Sequence, residues 1–282
     1  MKWVFINDDF FEEDKAAIQI SDLSLQRGYG VFDFFRTVNN KPLFIEDYLN
    51  RFYQSAKAIF ITVPLEREQL KEVVFKLTEK NNLPESGIRI TATGGYSPDG
   101  YMPVEGNIII QQQPLKLPPK EKYENGMKII THEYVRDLPA VKSINYLMGV
   151  WLQKEVKEKQ ADDVLYYKNN VISEFPRSNI FIVNNNGELL TPASNILAGI
   201  TRKKVLELAK DVMPVTARDI GTNELMNAVE VFMTSTTKRL LPIVEIDGKK
   251  IGDGKPGKIT ARLYELFLKM EQKETAPAAA GA

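Results

Sequence analysis

Apolar positions recur along this chain with two different periods, and the switches between them set out its elements. Runs that alternate, or that stay apolar for four to eight residues, predict strands. WVFIN is the first, and FFRTVNNKPLFIED reads as a hairpin turning at its Asn-Asn pair. GIRITATGG and GNIIIQQQP follow around a Gly-rich loop, then MKIITHEYV, DDVLYYKNNVISEF, NIFIVNNNGELLTP and EVFMTSTTKRLLPIVEIDG. Apolar residues three and four apart predict amphipathic helices in IEDYLNRFYQSAKAIFI, from Leu65 to Asn81, and in NYLMGVWLQKEVKEKQ, TRKKVLELAKDV, TNELMNAV and GKITARLYELFLKMEQK.

The stretch QQQPLKLPPKEKY breaks both periods and is rich in Pro and Lys, so it reads as a linker. It divides the chain into a small N-terminal α/β domain over 1–112, a linker over 113–122 and a larger C-terminal domain over 123–270. The segment 271–282, with its ETAPAAAGA ending, has no core-forming pattern and is expected to be disordered. The layout predicts a mixed α/β (α+β) fold of two domains with a ligand cleft between them.

Composition narrows the function. The 282 residues carry 37 Lys+Arg and 37 Asp+Glu, so the formal net charge is zero, which points away from nucleic-acid and membrane surfaces. No apolar run approaches the roughly 20 residues of a membrane span, and MKWVFINDDFFEEDK does not read as a signal peptide. Cysteine is absent, which removes disulfides, thiol nucleophiles and zinc–thiolate sites and is compatible with a cytoplasmic home. The one histidine, His132, leaves no His-based metal cluster and reads as a structural strand residue. Chemistry is therefore expected from Lys, Tyr, Glu, Arg or a cofactor.

Four places could carry it. In AVKSINYLMG, Lys142 precedes an apolar helical run, with Asn145 and Tyr146 beside it. A lysine turned inward has a lowered pKa, and its unprotonated amine forms Schiff bases with carbonyls; the alternative is a solvated surface charge. Glu174, in SEFPRSNIF, is either a surface acid at a strand end or a buried carboxylate facing a cationic partner such as a protonated pyridine nitrogen. In LAGITRKKV a helix starts near Gly199, with Thr201 as N-cap; this is either an ordinary cap or an anion site on free N–H groups. Ser235, Thr236 and Thr237 crowd hydroxyls and N–H groups at a tight turn, as a phosphate nest would. An aldehyde for the lysine, a ring nitrogen for the carboxylate and a phosphate for the helix start and turn together describe pyridoxal 5′-phosphate.

The stretches RGYGVFDFFRT, IEDYLNRFYQSA, VKSINYL, SEFPRSNIFIV, LLTP, LAGITRKKV and FMTSTTKRLLPI, in this order, resemble the class IV (fold-type IV) pyridoxal-phosphate aminotransferases from about Ile6 to Pro242. The resemblance implies Lys142 as Schiff-base lysine and proton shuttle, and Glu174 on the pyridine nitrogen. Arg51, the main chain at Ile200 and Thr201, and the hydroxyls of Thr236 or Thr237 would hold the phosphate. Tyr146 would lie near the ring hydroxyl, and Arg177 and Ser178 on the cofactor's flank. It further implies a homodimer with its sites between the domains, acting on amino acids and 2-oxo acids.

Within the family, the loop Ser97 to Tyr101 lacks the Arg-x-His pair common in D-amino acid transaminases, and VFDF replaces the VFEG of branched-chain enzymes. Arg27, Arg89 and Arg177 instead supply guanidinium groups at expected pocket positions, with Phe32 beside them. Guanidinium clamps carboxylates in a planar fork. This set resembles an arginine-rich subgroup of D-amino acid transaminases, with D-glutamate or D-alanine as donors. Branched-chain L-amino acid aminotransferase and aminodeoxychorismate lyase are the alternatives.

Overall fold

In the computed structural model, residues 2–276 are described, and they fold as mixed α/β in two compact units. The first comprises residues 2–116, 141–145 and 274–276; the second comprises 117–140 and 146–273.

The first unit is an antiparallel six-stranded sheet. Its strands are β1 (Trp3–Ile6), β2 (Asp9–Glu12), β3 (Gly30–Val38), β4 (Lys41–Pro42), β5 (Ser86–Thr93) and β6 (Ile108–Pro114), in the order β2-β1-β6-β5-β3-β4. The β3–β4 hairpin turns at Asn39 and Asn40, which have φ of 52° and 62°, a conformation that asparagine tolerates better than most residues. One sheet face carries Val31, Phe35, Ile88, Ile90 and Ile110, all fully buried. Helices α2 (Ile45–Ala58) and α3 (Arg67–Asn81) cover that face with Leu49, Phe52, Leu70, Val74 and Leu77. Each such side chain contributes about 1.5–3 kcal/mol on burial. The short helix α1 (Leu23–Arg27) precedes β3.

Sequence order places Lys142 in the C-terminal half, yet its backbone belongs to this first sheet. The Phe32 N–H donates to the Lys142 carbonyl (3.0 Å) and the Ile144 N–H to the Gly30 carbonyl (3.0 Å), with Val31 opposite Ser143. Residues 142–144 thus extend the ladder along the stretch of β3 that the two-residue β4 does not reach.

The second unit holds α4 (Lys120–Asn125), β7 (Met127–Glu133), α5 (Leu147–Trp151), α6 (Gln153–Glu158), β8 (Asp163–Lys168), β9 (Val171–Ile172), β10 (Asn179–Val183) and β11 (Leu189–Thr191). It continues with α7 (Ile200–Ala209), β12 (Val215–Ala217), α8 (Thr222–Met226), β13 (Glu230–Ser235), β14 (Arg239–Ile246), β15 (Lys249–Lys250) and all of α9 (Lys258–Thr275) but its last two residues. Its sheet runs β12-β11-β10-β13-β14-β7-β8-β9, with β15 on β14, and mixes parallel and antiparallel pairs. Alternation feeds two cores: Ile129 and Leu165 join the larger, Ile130, Val164 and Tyr166 the smaller.

Two expectations need correcting here. The helical pattern in NYLMGVWLQKEVKEKQ breaks at Leu152 into α5 and α6; Leu152 and Val156 are buried, but Leu147, Val150 and Trp151 are 78%, 68% and 66% exposed. The helix before the tail also runs past residue 270 to Thr275, and within that stretch Glu271 pairs with Arg239 (Nε to Oε2, 2.8 Å). The remainder of the expected disordered tail, 277–282, lies outside the described residues.

Candidate active site

In the first unit the open face of the sheet gathers three of the expected residues. The ring of Phe32 has the Lys142 amine 4.6 Å and the Arg89 guanidinium 4.4 Å from its centroid. The two cations therefore lie no more than about 9 Å apart. Strand register produces this: Phe32 is paired with Thr91, so Arg89, two residues along β5, stands on the same face. The Lys142 N–H donates to Ser55 Oγ (3.2 Å), fixing the backbone beneath the amine.

Arg51 projects from α2 to the covered face. Its Nε and Nη2 grip Asp33 Oδ2 and Oδ1 at 2.9 and 2.7 Å, and Asp33 is fully buried. A carboxylate in the apolar register of VFDFF was a readable signal for such a partner.

Arg27 is exposed at the end of α1, and a Cβ on Gly100 would lie 3.8 Å from its Nη2. Its helix is tied to the Gly-rich loop by buried Asp22, which accepts from the Ser24 N–H (2.8 Å), Thr93 Oγ1 (2.8 Å) and Asn107 Nδ2 (2.7 Å). In that loop Asp99 Oδ1 accepts from the Met102 and Tyr101 N–H groups (both 2.9 Å) and from Ser97 Oγ (2.8 Å), which lowers its pKa.

In the second unit, Glu174 is buried. Its Oε1 accepts from Arg136 Nε (2.8 Å) and Nη2 (2.7 Å), and its Oε2 from the Leu197 N–H (2.8 Å). Arg136 was not picked out from the sequence, since nothing local in EYVRDLP marks it. Beside the pair, burial raises the pKa of Tyr166 and Tyr134, whose rings meet edge to face 5.0 Å apart, so both phenols stay neutral.

Leu197 also ties Glu174 to the start of β10, since its carbonyl accepts from Asn179 Nδ2 (2.8 Å). Gly199, rather than Thr201, is the N-cap. A Cβ at Gly199 would fall 2.0 Å from Asn179 Oδ1, so the asparagine carboxamide leaves room only for glycine there, and the cap makes no side-chain hydrogen bond. Ile200 and Thr201 are the first two residues of the helix, where N–H groups have no intrahelical acceptor. Arg202 ties the same turn to β11 through Thr191 Oγ1 (3.1 Å) and the Pro192 carbonyl (2.9 Å).

Asn179 pairs with Thr234, so the Arg177–Ser178 segment and the Ser235–Thr237 turn leave neighbouring strands at the same end of the sheet. Ser178 Oγ is buried without a hydrogen-bond partner, while Arg177 is exposed. Tyr146 caps α5 through its carbonyl, which accepts from the Val150 N–H (2.9 Å). His132 packs its ring edge to face with Trp151 at 6.2 Å.

A buried anion, an unsatisfied buried hydroxyl, a helix start and a hydroxyl turn at one end of this sheet fit a phosphorylated pyridine. The chain matches the family model described as amino-transferase class IV over residues 30–246. It is 32% identical over 277 residues to the D-alanine aminotransferase of Listeria monocytogenes, covering 94% of each chain. It is 34% identical over 281 residues to a Methanocaldococcus jannaschii protein provisionally described as a branched-chain-amino-acid aminotransferase, covering 96% of each. The branched-chain amino acid aminotransferase of Escherichia coli has the same fold, with a TM-score of 0.90 over 99% of this chain and 97% of that one at 25% identity. The family's cofactor is pyridoxal 5′-phosphate. A match that runs from β3 to the end of β14 takes in every candidate residue but Arg27, and the chain belongs to the class IV aminotransferases.

Proposed function

We propose that this aminotransferase moves the amino group of a D-amino acid, such as D-glutamate or D-alanine, to a 2-oxo acid. The observation that carries the reading is the Phe32 ring with Lys142 on one contact and Arg89 on another. An amine at the reaction centre and a guanidinium within about 9 Å suit a small substrate that ends in a carboxylate. Arg27 and Arg177 add further cationic groups, and relatives named D-alanine aminotransferase favour the D configuration.

Bound cofactor supplies an aldehyde and an electron-withdrawing ring that eases loss of the α-proton. Lys142 Nζ would be the nucleophile toward that aldehyde and would carry the proton. Glu174, fixed by Arg136 and the Leu197 N–H, would keep the ring nitrogen protonated. The Ile200 and Thr201 N–H groups, Arg51, Thr236 and Thr237 would hold its phosphate, Tyr146 would serve its ring hydroxyl and Ser178 its flank. Arg51 comes to this role already oriented by Asp33.

We further infer a cytoplasmic homodimer without nucleic-acid or membrane partners. Exposed Leu147, Val150 and Trp151 support pairing with a second copy, and the balanced charge is consistent with small-molecule partners. No described helix is long and apolar enough to cross a membrane.

A panel of D- and L-amino acids against 2-oxoglutarate and pyruvate tests the reading. Activity with D-glutamate or D-alanine is expected, and Arg89→Ala should raise KM for D-glutamate about ten-fold or more. Activity confined to L-leucine, L-isoleucine and L-valine would establish the branched-chain reading, which the M. jannaschii relative favours. Pyruvate release from aminodeoxychorismate without transamination would establish the lyase.

A further inference from the structure

The turn between β13 and β14 is held by two ion pairs and two hydrogen bonds. Lys238 Nζ donates to Asp163 Oδ2 at 2.7 Å, with side chains 17% and 6% exposed. The Lys238 carbonyl accepts from Tyr123 OH (3.1 Å), and its N–H donates to Ser235 Oγ (3.2 Å). The next residue, Arg239, has φ of 53°, a left-handed conformation that a non-glycine residue holds only when its surroundings insist. Its side chain is fixed by Glu271, near the end of α9, in a pair 17% and 9% exposed.

A turn presents hydroxyls and N–H groups as a concave anion seat only while its backbone is held. Here the entry is held by Ser235, the exit by Arg239, and both ion pairs reach out to other elements. We propose that the Lys238–Asp163 and Arg239–Glu271 pairs are positioning residues that keep the Thr236–Thr237 turn in its phosphate-gripping shape, so that the last turns of α9 govern cofactor retention. This rests on the reading of that turn as a phosphate site.

The test compares pyridoxal 5′-phosphate with pyridoxal, which lacks the phosphate, as ligands of the cofactor-free protein. Glu271→Gln and Asp163→Asn keep side-chain shape and remove one charge from each pair. Each should weaken pyridoxal 5′-phosphate binding about ten-fold and leave pyridoxal binding within about two-fold, because a displaced turn costs only the ligand that carries a phosphate. Equal weakening of both ligands, or a lower melting temperature with unchanged binding of both, would assign the pairs a structural role alone and overturn the proposal. If Glu271→Gln does not fold, Lys238→Met breaks the other pair with a side chain of similar length and gives the same comparison. Thr236→Val/Thr237→Val separates the two levels of inference. If it leaves the preference for the phosphorylated ligand intact, the turn is not the phosphate site and the proposal falls with that reading. If it abolishes the preference while the ion-pair variants do not, only the bracing role falls.

Discussion

Replacing Arg136 by Met tests what holds Glu174 ready. In the wild-type protein the carboxylate takes two bonds from one guanidinium and one from the Leu197 N–H, and its side chain is 6% exposed. Met fills much of the space of the arginine stem but strips the guanidinium from a buried charge. Breaking one partner of a buried pair costs about 3–5 kcal/mol. Arg136 is 16% exposed, so water partly screens the pair, and the loss should fall at about 2–4 kcal/mol. For a protein of this size each kcal/mol shifts the melting temperature by roughly 2–4 °C, which gives a fall of about 4–16 °C in the cofactor-free form. Calorimetry of the wild type, Arg136→Met and Arg136→Met/Glu174→Gln provides the measurement. The double variant should melt above the single one, since the carboxamide leaves no stranded charge. Cofactor should stabilise Arg136→Met more than the wild type, because a cationic ring nitrogen stands in for the lost guanidinium. If Arg136→Met melts within about 1 °C of the wild type, or Glu174→Gln fails to restore it, Glu174 is not held by this pair.

Three further outcomes are expected. Lys142→Ala should abolish the covalent link that borohydride traps between protein and cofactor; a peptide map placing the cofactor on another lysine would reassign the nucleophile. Burial raises Tyr53 from the ordinary phenol value to about 12, so its stabilising share is complete below pH 10 and is lost as pH rises through 12. Tyr53→Phe should flatten that alkaline fall in denaturation curves, at the cost of the 2.8 Å bond to the Leu65 carbonyl, about 1 kcal/mol. Glu230 caps α9 from β13, accepting from the N–H groups of Ile259 (3.0 Å) and Thr260 (2.8 Å) and from Thr260 Oγ1 (2.8 Å). Glu230→Ala should lower unfolding free energy by about 1–2 kcal/mol, and a urea midpoint unchanged from the wild type would refute the capping role.

Local patterns made much of the fold readable. The Asn39–Asn40 hairpin, the strands and α2 follow from period and turn chemistry, which act over a few residues. What escaped depends on partners far along the chain. The break at Leu152 and the exposed Leu147, Val150 and Trp151 follow from which residues the sheet covers, not from helical spacing. The stretch of α9 past residue 270 carries Glu271, whose partner Arg239 lies 32 residues earlier. At the candidate site, residue types such as Lys142, Glu174 and Arg51 could be named from their stretches. Their supports could not: Arg136 lies 38 residues from Glu174, and Asn179, which packs against Gly199, comes from a strand 20 residues earlier.

The pairing of residues 142–144 with β3 also bears on how the chain is made. Phe32 and Lys142 are 110 residues apart, so at a synthesis rate of about 5–20 residues per second the strand edge waits roughly 5–20 s for its partner. Through that interval the Phe32 N–H and the Gly30 carbonyl face water or another chain. A fragment ending at residue 116 never receives the partner, and its open edge is a ready template for intermolecular pairing. The same ladder means that the segment carrying Lys142 is fixed in place by a sheet laid down long before it left the ribosome.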